Sequence, residues 1–247
     1  MEKNGLDLPP GYTTIALRES GDAFAHACAI AGTEGAGTFV HVRRYDLIEF
    51  AVVLEPDEPL KSARRAFFAG MHAVAESIAA HCPPEREVEF AWPDAILFDR
   101  GLVGGGRLGW PDGAAEDATP DWLVFGCMLR SVDLSHVEAG LHAGATALVA
   151  EGFDLVDVDA VMESFARHLM TAFDLWGEQG FRAVGEQFLE RLPKKKAGER
   201  RIIDTNGDLL VSLPVGGAPD RLPLVPALAN ASWLDSATGA PRLGFDA

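Results

Sequence analysis

The sequence predicts an α+β (α/β) protein in which a mixed β-sheet packs with helices and a small β-rich domain follows. Strand patterns recur between residues 37 and 128, and an apolar face with helical spacing lies among them. Nearer the C-terminus, Asn206-Gly207 stands between two apolar segments. Both residue types tolerate positive φ, so the pair predicts a hairpin turn.

The first predicted elements are two strands joined by a basic turn. Residues 37–42 alternate between apolar and polar or small side chains, and residues 48–54 are rich in β-branched and aromatic types. Between them stand Arg43 and Arg44, followed by Tyr45 and Asp46. The sequence therefore places two adjacent cations where one strand ends and the next begins.

The clearest predicted helix comes next. Its apolar residues recur at steps of three and four, as on one face of a helix: Leu60, Ala63, Phe67, Met71, Val74 and Ile78. Pro59 suits the first turn, and Pro83-Pro84 would end the helix. Strands are predicted at residues 88–90, 96–98 and 122–128, and helices at residues 155–176 and 181–192.

A domain boundary is predicted at Pro193. The following Lys194-Lys195-Lys196 run carries like charges and is closed by Ala197-Gly198, which favours a solvated linker. We therefore expect one large domain over residues 1–193. Residues 194–247 would form the small β-rich C-terminal domain that contains the predicted hairpin.

Composition limits the possible partners. The chain has 247 residues, 48% of them hydrophobic, and a formal net charge of −16. That charge repels a phosphate backbone, so nucleic acid is an unexpected partner. No apolar run approaches a membrane span, and the first ten residues lack the pattern of a signal peptide. Three widely spaced cysteines fit a reducing compartment and no metal pattern, so we expect a cytoplasmic protein without a metal site.

Four motifs in a fixed order carry a family resemblance. They are Trp92-Pro93 with Gly104-Gly105, the strand 122–128 with Gly126 inside it, the helical stretch 176–191, and the strand pair 203–211. Their order resembles the biotin protein ligase and lipoate protein ligase family, with this chain as a divergent member. The resemblance implies a class II synthetase-like catalytic domain. It also implies a small carboxylic acid (biotin, lipoate or octanoate) as substrate and a biotinyl or lipoyl carrier domain as partner. ATP with Mg would be required if the chain is a true ligase.

The chain departs from the family pattern at three places. The family's Asn-Asp after Trp-Pro is here Asp94-Ala95, and the family's Lys position is held by Gly101 or Leu102. The family's Arg-rich loop is reduced to the short turn that contains Arg43 and Arg44. An adenylating enzyme needs fixed positive charge where negative charge develops on the phosphate, so no catalytic residue can be assigned.

The candidate substrate-binding residues follow from these motifs: Arg43, Arg44, Trp92, Asp94, Gly104, Gly105, Gly106 and Gly126. The two arginines would clamp a carboxylate or phosphate, or else form a solvated hairpin turn. Trp92 would line an acyl pocket, or else be an ordinary core aromatic. The glycines at 104–106 would let a ligand lie against bare backbone, or else form a bulge.

Three functions stay open from the sequence. The first is a ligase-like protein that binds a small carboxylic acid or its acyl-adenylate and attaches it to a carrier lysine. The second is a non-catalytic pseudo-ligase that binds an acyl ligand or a carrier domain. The third is an ATP-independent acyltransferase, for which Cys127 lacks the positive neighbour that would activate its thiol.

Overall fold

A computed structural model describes residues 5–82, 86–134, 144–153, 158–193, 195–214 and 217–244. The described strands are β1 (Thr13–Leu17), β2 (Thr38–Val42), β3 (Leu47–Leu54), β4 (Val88–Ala91), β5 (Ala95–Phe98), β6 (Gly101–Gly109), β7 (Leu123–Arg130), β8 (Arg200–Ile203), β9 (Leu209–Ser212), β10 (Asp220–Leu222), β11 (Leu234–Asp235) and β12 (Ala240–Pro241). The described α-helices are α1 (Ala23–Glu34), α2 (Leu60–Ala63), α3 (Ala66–Ala79), α4 (Val158–Gln179), α5 (Phe181–Glu190) and α6 (Leu224–Leu228), and a short 3₁₀ helix spans Leu148–Glu151.

Seven strands form the main sheet in the order β1-β2-β3-β7-β6-β5-β4. β1 pairs with β2 in parallel, and the remaining neighbours pair antiparallel, which confirms the predicted mixed sheet. The five strands predicted between residues 37 and 128 are all present. The glycine-rich stretch after β5 is itself a strand, β6, which pairs with both β5 and β7 near the middle of the sheet.

The predicted helix over residues 60–78 is divided in two. α2 ends at Ala63 and α3 begins at Ala66, with Arg64 and Arg65 between them. The two guanidinium groups form ion pairs with Glu116 and Glu58. The apolar spacing therefore predicted the buried face correctly, but it did not reveal the break at the two arginines.

The two faces of the main sheet are covered differently. Helices α3, α4 and α5 pack on one face, where the largest core contains Phe50, Phe125 and Phe165. On the other face, α1 packs over β2, β3 and β7 through three buried alanines, Ala23, Ala27 and Ala31. Farther along that face, Trp233 packs with Leu47, Ala95, Leu102 and Met128. This second face is therefore covered by two separate pieces of chain.

The C-terminal part contains a three-stranded sheet and a two-stranded ribbon. β8 and β9 pair antiparallel around Asn206-Gly207, which confirms the predicted hairpin, and Gly207 takes a φ of 87°. Leu209 and Leu224 belong to the main core, so the two parts of the chain share buried surface. The domain boundary at Pro193 stays a prediction.

No helix in the described part of the chain is long and apolar enough to cross a membrane.

Candidate functional site

The second face of the main sheet carries an unusual set of side chains around its centre. Strand alternation places Gly105 and Arg107 of β6 on this face, with Gly126 of β7 directly across from Arg107. Met128 of β7 pairs with Gly105 of β6 on one side and with Glu49 of β3 on the other. We call this surface, defined by Glu49, Gly105, Arg107, Gly126 and Met128, the glycine face.

Arg107 is the cation at the centre of the glycine face. Its guanidinium carbon lies 4.1 Å from the centroid of the Phe24 ring, within the range of a cation–π contact. Its Nη1 atom lies 3.7 Å from Oδ2 of Asp22, which is an ion-pair distance but longer than a hydrogen bond. The Arg107 side chain keeps 29% of its surface exposed, so solvent or a ligand can reach it.

The N-terminus of α1 borders this cation. Asp22 caps the helix by accepting a hydrogen bond from the backbone nitrogen of Ala25 at 2.8 Å. Oε1 of Glu49 accepts a second hydrogen bond, from the backbone nitrogen of Ala23, at 2.8 Å. Glu49 is buried, and that burial raises the pKa of its carboxyl group against the lowering effect of the Ala23 hydrogen bond.

The other side of the glycine face is closed by the residues that follow α6. We call residues 231–242 the C-terminal cover. Trp233 is fully buried, and its Nε1 donates a hydrogen bond to the carbonyl oxygen of Gly106 at 3.3 Å. A Cβ atom on Gly105 would come within 2.4 Å of the Trp233 ring, so the glycine is what admits the indole. Arg130 holds the far end of the cover by donating to the Pro241 carbonyl.

Asp94 is buried beneath the C-terminal cover. Its Oδ1 accepts a hydrogen bond from Ser232 Oγ at 3.1 Å, while its Oδ2 has no hydrogen-bond partner among the described residues. Burial raises the pKa of Asp94 to about 6, despite the hydrogen bond from Ser232. Asp94 therefore carries its charge at neutral pH at a cost in free energy.

The two predicted arginines differ in their surroundings. Arg43 is exposed at the end of β2. Arg44 forms a bidentate pair with Asp46, through contacts of 2.8 and 2.6 Å. This hydrogen-bonded pair lowers the pKa of Asp46 and raises that of Arg44. The charge of Arg44 is thus largely balanced by its neighbour two residues away.

The structure brings only some of the predicted site residues together. Asp94, Gly105 and Gly126 border the glycine face, whereas Trp92 stacks on Phe68 on the helix-covered side at a centroid distance of 5.7 Å. At Gly104 a Cβ atom would lie 1.9 Å from the Met128 carbonyl oxygen, and at Gly106 it would lie 2.5 Å from a Met71 sulfur. Like Gly105 under Trp233 and Gly126 under Phe24, these two glycines accommodate neighbouring protein atoms. A ligand-binding role for the eight residues stays a prediction.

Two residues of this surface, Arg107 and Glu49, were not among those predicted. Both had a signal in the sequence, because each is a charged residue inside an otherwise apolar or glycine-rich strand. A charge in a central strand must have a partner or reach solvent. Trp233 was also not predicted. The residues around it in the sequence form no recognisable pattern, because contacts with distant strands set its position.

The cysteine thiols are poorly suited to nucleophilic chemistry. Cys127 lies in the core on the helix-covered side, and burial strongly raises the pKa of its thiol. Cys28 lies nearer the glycine face, where burial raises its thiol pKa to about 11 even though Arg107 acts in the opposite direction. Both thiols are therefore protonated at neutral pH. In the parts of the chain that the structure describes, no three His, Cys, Asp or Glu residues are grouped to hold a metal ion.

Comparisons with solved structures show where this fold recurs. A biotin protein ligase-like protein of unknown function from Silicibacter sp. TM1040 is 26% identical, with a TM-score of 0.75 over 89% of this chain and 97% of that one. Biotin protein ligase from Aquifex aeolicus, in complex with biotin and ATP, is 14% identical, with a TM-score of 0.62 over 85% of this chain and 95% of that one. The biotin protein ligase of Leishmania major, in complex with biotin, is 16% identical, with a TM-score of 0.56 over 87% and 98% of the two chains. The last two show that the fold is that of the biotin ligase catalytic domain, as predicted.

A comparison with curated proteins found no significant match. The sequence model of the biotin/lipoate A/B protein ligase family matches residues 8–190, which is most of the chain and includes every strand of the main sheet. The chain therefore belongs to the biotin/lipoate A/B protein ligase family.

Proposed function

We propose that this protein binds a small carboxylic acid of the biotin, lipoate or octanoate class on the glycine face, without activating it. The proposal rests on one observation, the incomplete hydrogen bonding of the Arg107 guanidinium. Among the described residues its carboxylate contact is Asp22, at 3.7 Å, so its N–H donors are not saturated. A guanidinium of this kind can accept a ligand carboxylate in a bidentate pair.

The surroundings of Arg107 suit the apolar part of such an acid. On one side of Arg107, the Phe24 ring packs over Gly109 and Gly126. Trp233 and Met128 lie on the other side, with Gly105 beneath the indole. Gly105 and Gly126 lie under the Trp233 and Phe24 rings and so bring both aromatic side chains close to the sheet. A cation between two aromatic walls provides one charged anchor with apolar surroundings, which is the usual composition of a small-molecule site.

The same residues do not fit the triphosphate of ATP. Two guanidinium groups, those of Arg44 and Arg107, stand among three carboxyl groups, those of Asp22, Asp46 and Glu49. These five groups sum to zero charge when Glu49 is protonated and to −1 when it is ionised, whereas a triphosphate brings several negative charges. Lys61, the only lysine between Gly5 and Pro193, is engaged elsewhere in a 2.5 Å ion pair with Asp117. The described residues around Arg107 therefore do not fit ATP with Mg.

The second candidate is a true ligase that attaches the acid to a lysine of a carrier domain. Family membership favours it. It would need positive charge from a source other than the described residues of the glycine face. The third candidate, ATP-independent acyl transfer through a thiol, has less support because burial raises the thiol pKa of both Cys28 and Cys127.

Calorimetry and a pyrophosphate assay separate these candidates. Biotin, lipoate and octanoate are titrated beside their neutral amides, and at least one acid should bind more tightly than its amide. Arg107→Met should weaken that acid by about 10- to 100-fold, the loss of a charge-assisted hydrogen bond. Arg182→Met is the matched control, since Arg182 is exposed on α5 and pairs with Glu186.

Two outcomes would overturn the proposal. Equal affinity of wild type and Arg107→Met for the acid would remove the glycine face as the binding site. Rapid pyrophosphate release that depends on both ATP and the acid would show that the protein is an activating ligase.

A further inference from the structure

A cavity lies on the helix-covered side of the main sheet, away from the face that carries Arg107. It is a cleft of about 450 Å³ beside the end of β3, between α2 and α4. Through Gly126, Arg107 is level with Ala51 of β3, and Ala51 and Leu54 are three residues apart, about 10 Å along a strand. The cleft opens on the helix-covered side, whereas Glu49 faces the other side. The two sites are therefore separate.

The walls of this cleft are apolar and aromatic. Phe173 and Trp176 of α4 stack on each other at a centroid distance of 6.1 Å and an interplanar angle of 26°. Tyr12 contributes a ring whose hydroxyl donates a hydrogen bond to the Ala166 carbonyl at 3.2 Å, and Leu54 and Leu123 complete the apolar lining. A cavity of this volume accommodates a small organic molecule.

The mouth of the cleft is acidic. Glu55, Asp57 and Glu58 lie on its rim, and no Lys, Arg or His is among the residues that line it. Glu58 is already paired with Arg65 at 2.8 Å. Glu55 and Asp57 are exposed, and neither forms an ion pair with any residue in the described ranges. Two carboxylates are thus available at the entrance of an apolar cavity.

We propose that this cleft binds an aliphatic ammonium ion. The alkyl chain would lie against Phe173 and Trp176, and the ammonium group would lie at the mouth, near Glu55 and Asp57. The negative charge of the rim favours a cationic ligand, because Glu55 and Asp57 would repel a carboxylate. The Arg65 guanidinium already lies over the Trp176 ring, 5.4 Å from its centroid, so Glu55 and Asp57 are the groups that would hold the ammonium charge. This ligand class differs in charge from the acid proposed for the glycine face.

A titration followed by two-dimensional NMR tests the proposal with three probes of equal chain length. Hexylammonium, hexan-1-ol and hexanoate are added in turn to the intact protein, and the indole N–H signal of Trp176, assigned with Trp176→Phe, reports on the cleft. Hexylammonium should bind about tenfold more tightly than hexan-1-ol, as expected for two partly exposed ion pairs. Hexanoate should bind more weakly than either.

Two variants identify the groups responsible. Glu55→Gln with Asp57→Asn should abolish the preference for hexylammonium over hexan-1-ol, while Glu178→Gln, an exposed acid that does not line the cleft, should preserve it. Gly177→Phe should block all three probes. A Cβ atom at Gly177 meets nothing within 4 Å, so this lining position has room for a larger side chain. Gly177→Ala controls for the change in helix propensity.

The proposal is overturned if hexylammonium and hexan-1-ol bind equally well to the wild-type protein. It is also overturned if the Trp176 signal does not respond to hexylammonium, or if Gly177→Phe leaves hexylammonium binding unchanged. Acid binding at the glycine face is measured separately, through Arg107, so the failure of one site is distinguishable from the failure of the other.

Discussion

The indole of Trp233 rests on Gly105 so closely that a single methyl group on the glycine would collide with it. The contact joins the central strand β6 to a residue far along the chain, and the Trp233 side chain is fully buried as a result. Trp233 therefore forms one wall of the proposed acid site. Any ligand on the glycine face must lie beside this ring or displace it.

Removing the ring should destabilise the protein considerably. Trp233→Ala leaves a cavity over Gly105 and should lower the free energy of unfolding by about 3–5 kcal/mol, measured by urea denaturation. Trp233→Phe keeps a ring but loses the hydrogen bond to the Gly106 carbonyl. It should lower the free energy of unfolding by less than Trp233→Ala does. If Trp233→Ala were as stable as wild type, the C-terminal cover would not be docked on the sheet in solution.

Asp94→Asn should change how stability depends on pH. The pKa of Asp94 is raised from an ordinary value near 4 to about 6, so its folded form holds a proton more tightly than its unfolded form. Binding of that proton stabilises the folded form fully below about pH 4, and this stabilisation is lost as the pH rises through about 6. The asparagine has no such proton to lose, so its stability relative to wild type should rise by about 2–3 kcal/mol between pH 4 and pH 7.5.

Denaturation curves of both proteins at several pH values provide the measurement. Ser232→Ala is a useful companion, because it removes the hydrogen bond to Asp94 Oδ1 while leaving the carboxyl group in place. It should retain the pH dependence that Asp94→Asn loses. A constant difference between wild type and Asp94→Asn across this range would show that Asp94 titrates normally.

Glu49 should make acid binding depend on pH. Burial raises the pKa of this carboxyl group, and its protonation removes one negative charge near Arg107. The affinity for a ligand carboxylate should therefore increase as the pH falls through the raised pKa of Glu49. Glu49→Gln can still accept the hydrogen bond from Ala23, and it should bind the acid more tightly than wild type above that pKa, with a weaker pH dependence. Parallel pH profiles for the two proteins would exclude Glu49 from the site.

The turn between β5 and β6 offers a test of local strain. Asp99 and Arg100 have φ values of 48° and 67°, which are unfavourable for residues that carry a side chain. Asp99 pairs with Arg86, whereas Arg100 is exposed. Arg100→Gly should raise the free energy of unfolding by about 0.5–1 kcal/mol, because relief of strain exceeds the added freedom of the unfolded chain. Arg100→Ala retains the Cβ atom, and a gain as large as that of glycine would rule out this explanation.

Strand alternation and hairpin chemistry predicted most of the sheet because each depends on neighbouring residues. β1 and α1 were missed for physical reasons. β1 is short, with exposed threonines, and α1 buries little more than three alanines spaced four apart. Neither presents the large apolar side chains on which sequence patterns depend.

The candidate site was harder to predict than the fold. The motif around Trp92 led to Asp94, Gly105 and Gly126, which do border the glycine face. Arg107 stands directly after the three glycines but was overlooked because the family pattern directs attention to a lysine. The contact between Ser232 and Asp94 joins residues 138 positions apart, and no local pattern encodes such a separation.

The hydrogen bond from Trp233 to the Gly106 carbonyl spans 127 residues of sequence, whereas β4 to β6 pair through short turns. Contacts that close a long loop form late in folding, since their entropy cost must be met by structure already in place. The glycine-rich strand should therefore be assembled and paired while its outer surface is still bare. Docking of the Trp233 indole on Gly105 is therefore expected to follow the pairing of β4, β5 and β6.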